Sequence, residues 1–130
     1  MSTIKSYTDL EQSKKLAEIL PLESADMYYP NRIDIKYQGA LPIEYKHGNP
    51  LLSQEIAAWS LAALLGVIKE KGLVDLRFLQ STFDNRGNHL TNVWCCTFED
   101  ISTVTLDLYA TNPVDGCVEM ILKLHELNLL

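Results

Sequence analysis

The run Val74-Asp75-Leu76-Arg77-Phe78, the cluster Asp84-Asn85-Arg86-Gly87-Asn88 and the stretches LTNVWCCTF (90–98) and VTLDLY (104–109) decide the fold. Val74, Leu76 and Phe78 alternate with Asp75 and Arg77. Leu90, Trp94, Cys96 and Phe98 alternate with Thr91, Val93, Cys95 and Thr97, and Val104, Leu106 and Leu108 with Thr105, Asp107 and Tyr109. Successive side chains of a strand point to opposite faces, so each run offers one apolar and one more polar face. The 84–88 cluster is hairpin turn chemistry, and Glu99-Asp100 marks a second turn. Connections this short make neighbouring strands antiparallel. The expectation is a three-stranded meander whose apolar face is covered.

Helices flank these strands. Asn112-Pro113-Val114-Asp115 supplies an Asn cap, Pro at the first helical position and an acid in the first turn. Val114, Cys117, Val118, Ile121, Leu124 and His125 then form a buried stripe, and Gly116 within it suggests close packing against another element. Upstream, Ser53 is expected to cap a helix over 54–71 that is apolar most of the way round and hence central. Trp59, Leu61, Leu64 and Ile68 should be buried there, with Gly72 as a left-handed stop. Thr8 and Glu11 fit a capping box for a first helix that buries Leu10, Leu16, Ala17 and Leu20 and ends at Pro21. Ser24 to Met27 reads as one helical turn, and Ile33, Ile35 and Tyr37 carry the signature of a short fourth strand. The whole reads as a single α+β domain over 1–130. It has a small antiparallel meander sheet of three strands, four if 33–37 joins it, with three helices packed on one face in two layers.

A chain of 130 residues buries about two-thirds of its unfolded surface and needs no staple to fold. Seventeen acidic against eleven basic residues give a net charge of −6. Binding a nucleic-acid backbone needs clustered Lys and Arg, whereas here they are scattered. A nucleic-acid module would have to gather Arg77, Arg86 and Lys36 on the exposed sheet face. Three cysteines leave at least one thiol unpaired, as in reduced cytoplasmic proteins. Met1 to Lys5 lacks the apolar core of a signal peptide, and the apolar stretch 56–68 is shorter than the roughly 20 residues a membrane span needs. A soluble cytoplasmic protein, off the membrane, is the expectation.

Motifs that carry chemistry are missing. The glycines are isolated, so no phosphate or dinucleotide loop forms, and no Gly-x-Ser-x-Gly elbow occurs. His47, His89 and His125 fall in separate elements without metal-ligand spacing, so neither a metal nor a cofactor is expected. His89 and Cys95 are about 20 Å apart along one strand, and Cys117 and His125 about 12 Å apart along one helix, too far for a dyad. An enzyme would need a site assembled in tertiary structure, such as His47 or His89 beside a carboxylate, or His47 beside Cys95.

Residues 21–52 depart from a plain scaffold. They hold Pro21, Pro30, Pro42 and Pro50 together with Tyr28, Tyr29, Tyr37 and Tyr45. Tyrosine combines a large apolar body with a polar tip and is enriched at interfaces. Tyr28, Tyr29, Arg32, Tyr37, Tyr45 and His47 are therefore the candidate protein-binding residues, for another protein or a second copy of this chain. The same tyrosines could instead anchor a long connection on the core.

Three stretches, Ser24 to Tyr29 (SADMYY), Ala58 to Leu65 (AWSLAALL) and Asn112 to Ile121 (NPVDGCVEMI), resemble small uncharacterised proteins of Bacteroidetes prophages and mobile elements. The likeness spans about two-thirds of the chain and rests on helix faces and caps. It implies a bacterial or phage protein and carries over no reaction and no functional residue. A non-enzymatic accessory or adaptor protein is the leading expectation.

Overall fold

The computed structural model describes residues 5–30, 39–42, 55–101 and 104–130. Helix α1 covers Leu10–Ala17, and a 3-10 turn follows at Leu22–Ser24. Three short strands come next, β1 (Met27–Tyr29), β2 (Leu41–Pro42) and β3 (Ile56–Ala58), then helix α2 (Leu61–Lys69). Strands β4 (Leu73–Phe83), β5 (His89–Glu99) and β6 (Thr105–Ala110) precede helix α3 (Pro113–Glu126). The class is α+β, and the meander is present in the order β4-β5-β6 with both pairings antiparallel.

The turn chemistry closes the β4–β5 hairpin. The Asp84 carboxylate accepts from the backbone N–H groups of Arg86 and Asn88, both at 2.9 Å, and from the Asn88 side chain at 3.1 Å. Gly87 takes φ +83°, the left-handed conformation that glycine adopts without steric cost. Pairing runs from Leu73 opposite Glu99 to Phe83 opposite His89. The ladder is interrupted at Asn92, which sits at φ 53°, a region Asn tolerates better than branched residues. Beyond it pairing resumes in the same register, with Ser81 opposite Thr91. Asp84, Asn85, Arg86 and Leu90 border a cleft of about 340 Å³ with Asp107, Leu108 and Tyr109.

Val74, Leu76, Cys96, Phe98, Leu106 and Leu108 face the helices and form the core with Leu64, Val67 and Ile68 of α2 and Val114 to Leu124 of α3. Helices α2 and α3 pack on each other and on this sheet, while α1 lies against α3 and β3. Leu16 and Leu20 reach the same core, but Leu10 and Ala17 stay outside it, and His125 at the end of α3 is exposed. Phe78, expected inside, is 48% exposed because it lies at the rim, its ring 5.5 Å from that of Trp94.

Several local expectations need correction. The expected cap Ser53 lies outside the described residues, and the long apolar run is not helical over 55–60. Ile56–Ala58 is a strand paired with β1, Trp59 is fully buried just after it, and Ser60 caps α2 by accepting from the Ala63 N–H at 3.2 Å. An apolar run has no period of its own, so strand and helix are indistinguishable there until β1 pairs with it. The cap of α1 falls one residue later than expected. Asp9 accepts from the Gln12 N–H at 2.8 Å and Gln12 Oε1 accepts from the Asp9 N–H at 3.1 Å. Thr8 is buried instead, its hydroxyl accepting from the Trp59 N–H at 3.1 Å and bonded to Ser13 at 2.8 Å. Residues 24–27 form no helical turn, since Met27 already belongs to β1. This strand joins β2 and β3 in a second antiparallel sheet of order β2-β1-β3. The fourth strand expected at 33–37 lies outside the described residues.

Two glycines also take other roles. Gly72 is not left-handed; its hydrogen stands where a Cβ would lie 2.5 Å from the Glu99 carbonyl and 2.8 Å from the Phe98 ring. Gly116 has room for one, with the Cβ atoms of Cys96 and Ala110 at 3.7 and 3.8 Å. The close approach is at Gly72.

Candidate functional site

Of the six residues proposed from sequence, Arg32, Tyr37, Tyr45 and His47 lie outside the described residues. Tyr28 and Tyr29 are neighbours on β1, both half-buried. The Tyr29 hydroxyl donates to the Thr8 carbonyl at 2.6 Å, and its ring meets that of Tyr7 edge-on at 6.2 Å. Burial, reinforced by Tyr7 and Asp9, pushes this phenol up to about 12, so it remains a donor at physiological pH. Tyr29 thus ties β1 to the residues ahead of α1.

The groups able to do chemistry are dispersed. Cys95, Cys96 and Cys117 are free and buried. Cys96 on β5 faces Cys117 on α3, and the hydrogen bond between them together with burial pushes the Cys96 thiol up. A thiol held protonated in this way is a poor nucleophile. His89 stands on the exposed hairpin with Nε2 2.7 Å from the Ser81 hydroxyl and its ring 5.2 Å from Phe83. That contact lies in the open rather than in an enclosed site that could exclude water. Lys5 bonds Asp115 at 2.8 Å, Gln12 at 2.6 Å and Asp9 at 3.1 Å, and Asn112 and Gln12 also donate to Asp115. Burial alone would lower Lys5 and raise Asp115, but these bonds outweigh it and favour both charges. The network ties the residues ahead of α1 to the start of α3. Among the described residues, no three His, Cys, Asp or Glu side chains converge to hold a metal, and no helix is long and apolar enough to cross a membrane.

The feature that stands apart is the outer side of β4. This strand has eleven residues and, among the described residues, pairs only with β5 and forms one edge of the sheet. Edge strands are usually blunted by Pro, Lys, shortness or a covering element. Leu73–Phe83 contains neither Pro nor Lys, and among the described elements only α2, besides β5, packs substantially on it. Its two charges, Asp75 and Arg77, neutralise each other through a 3.1 Å ion pair. Leu73, Phe78 and Phe83 are 73%, 48% and 63% exposed. At the Leu73 end the fully exposed Ile101 borders a cleft of about 420 Å³ with Lys69, Gly72 and Glu99. The opposite edge, β6, is only six residues long, and the turn residues Asp84 to Arg86 share a cleft with it. Sequence reasoning missed β4 as a site. Its signal was a run of eleven residues, LVDLRFLQSTF, rich in large apolar side chains and without a gatekeeping Lys or Pro.

Comparison with family models, with curated proteins and with solved structures finds no match, and so adds nothing to the resemblance noted in the sequence.

Proposed function

We propose that this chain is a non-enzymatic protein-interaction module, an accessory protein of a phage or mobile element, whose β4 edge receives a strand from another polypeptide. One observation carries the reading: an eleven-residue strand, at the sheet edge among the described residues, exposes Leu73, Phe78 and Phe83. Strand addition gains affinity from main-chain hydrogen bonds and selectivity from alternate side chains. The residues Tyr28, Tyr29, Arg32, Tyr37, Tyr45 and His47 stand as a second proposed protein contact, of which Tyr28 and Tyr29 lie among the described residues. Binding of nucleic acid is disfavoured by the acidic neighbours of Arg77 on β4 and Arg86 in the hairpin turn. Arg77 is paired with Asp75, and Arg86 shares its cleft with Asp84 and Asp107.

The test is site-specific photo-crosslinking in the native cell. A photoreactive residue at Arg77 on the edge is compared with one at Glu119, an exposed position on α3. Protein adducts at 77 and few at 119 are expected. Adducts at 119 alone, or equal yields at both, would overturn the reading.

A further inference from the structure

We propose that the occupant of the β4 edge is a second copy of this chain, paired antiparallel about a two-fold axis through Leu76. The inference rests on β4 being a docking edge and names its partner. In a two-fold antiparallel pair, opposing residues share a face of the sheet, so the axis must pass through a residue position. That leaves few registers, and the charges select among them. Asp75 and Arg77 lie on one face, flanking Leu76, with about 60% of each side chain exposed. An axis through Asp75 sets that carboxylate against its own copy, and an axis through Arg77 does the same for the guanidinium. An axis through Phe78 places Asp75 opposite Ser81 and Arg77 opposite Leu79, leaving both charges without a cross-strand partner. Only the axis through Leu76 puts Asp75 opposite Arg77 of the second copy, and does so twice.

The apolar side chains agree with this register. Leu73 comes opposite Leu79, Val74 opposite Phe78, and Leu76 opposite itself. Leu73 and Phe78, exposed in one copy, are thus covered in the pair. The segment used, 73–79, is the part of β4 whose ladder with β5 is continuous, before the interruption opposite Asn92. An interface of seven residues a side falls below the roughly 1,200 Å² of stable complexes, so the dimer is weak and concentration-dependent.

Sedimentation equilibrium over a wide concentration range tests this on the full chain. The native protein should show a reversible monomer–dimer equilibrium. Asp75→Arg sets like charges opposite each other twice, and Arg77→Asp does so with the opposite sign. Each should weaken the dimer on the order of tenfold or more while leaving the fold intact by circular dichroism. The double variant restores opposite charges and should recover the dimer. Mixing the two single variants should give a heterodimer that neither forms alone, which keeps the test valid should the double variant fold poorly. A native chain that stays monomeric at every concentration overturns the proposal, as does a dimer indifferent to reversal or one that neither the double variant nor mixing recovers. If the chain is monomeric yet crosslinks through position 77 to a different protein, the edge reading survives and self-pairing fails.

Discussion

Replacing Gly72 by alanine should destabilise the protein, whereas the same replacement at Gly66 should stabilise it. At Gly72 the new methyl would lie 2.5 Å from the Glu99 carbonyl oxygen and 2.8 Å from two atoms of the Phe98 ring. Neither neighbour yields easily. Glu99 is held opposite Leu73 in the ladder, and Phe98 is fully buried in the core. Overpacking of this kind costs about 1–3 kcal/mol, offset by about 0.4–1 kcal/mol from the stiffer unfolded chain. The net loss is therefore on the order of 1–2 kcal/mol. At Gly66, in the exposed face of α2, nothing lies within 4 Å of the added carbon. Helix propensity then favours alanine by about 1 kcal/mol. Urea unfolding followed by circular dichroism reads both, as opposite displacements of the midpoint at constant slope. For a chain of this size, 1 kcal/mol moves the melting temperature by about 4 °C. A neutral Gly72→Ala would refute the seating of β4 against Phe98 and Glu99, and with it the position of Leu73 on the edge.

Three further outcomes follow from the same geometry. Asp115 and Asp9 have carboxyls held below the usual range in the folded state, so their contribution is complete above the unfolded value near 3.9 and is lost as pH falls through the folded one. Asp115→Asn should therefore flatten the loss of stability below about pH 4, and an unchanged acid limb of the pH–stability curve would contradict the network. Ser60→Ala should cost about 1 kcal/mol by removing the cap of α2 and the partner of Asp26, and a neutral variant would place the start of the helix elsewhere. Tyr29→Phe removes the hydroxyl bonded to the Thr8 carbonyl and should cost about 0.5–1.5 kcal/mol in a denaturant titration, while a wild-type midpoint would deny that Tyr29 anchors β1.

The meander was legible because its strands alternate strictly and its first turn is written in Asp84, Gly87 and Asn88. The last helix was legible from its cap, with the Asn112 side chain accepting from the Asp115 N–H at 2.9 Å. The second sheet was not, because β1, β2 and β3 have two or three residues each and exist only through pairing between distant segments. The same pairing took Ile56–Ala58 away from the expected helix. Nothing local reveals that the Tyr29 hydroxyl will meet the Thr8 carbonyl, twenty-one positions earlier. The β4 edge escaped notice for a related reason. Alternation tells which side chains share a face, but not how far along the strand the helices reach, nor which strand is left unpaired. Phe78 reads as a core residue in the sequence and lies at the rim in the fold.

Amide hydrogen exchange along β4, read residue by residue in dilute and in concentrated protein, tests the role of this edge most directly. Alternate amides within 73–79 should exchange rapidly when dilute and gain protection when concentrated, while those of Ser81 to Phe83 and of β6 stay unchanged. Protection in β4 that does not respond to concentration, or that rises along β6 instead, would contradict the account.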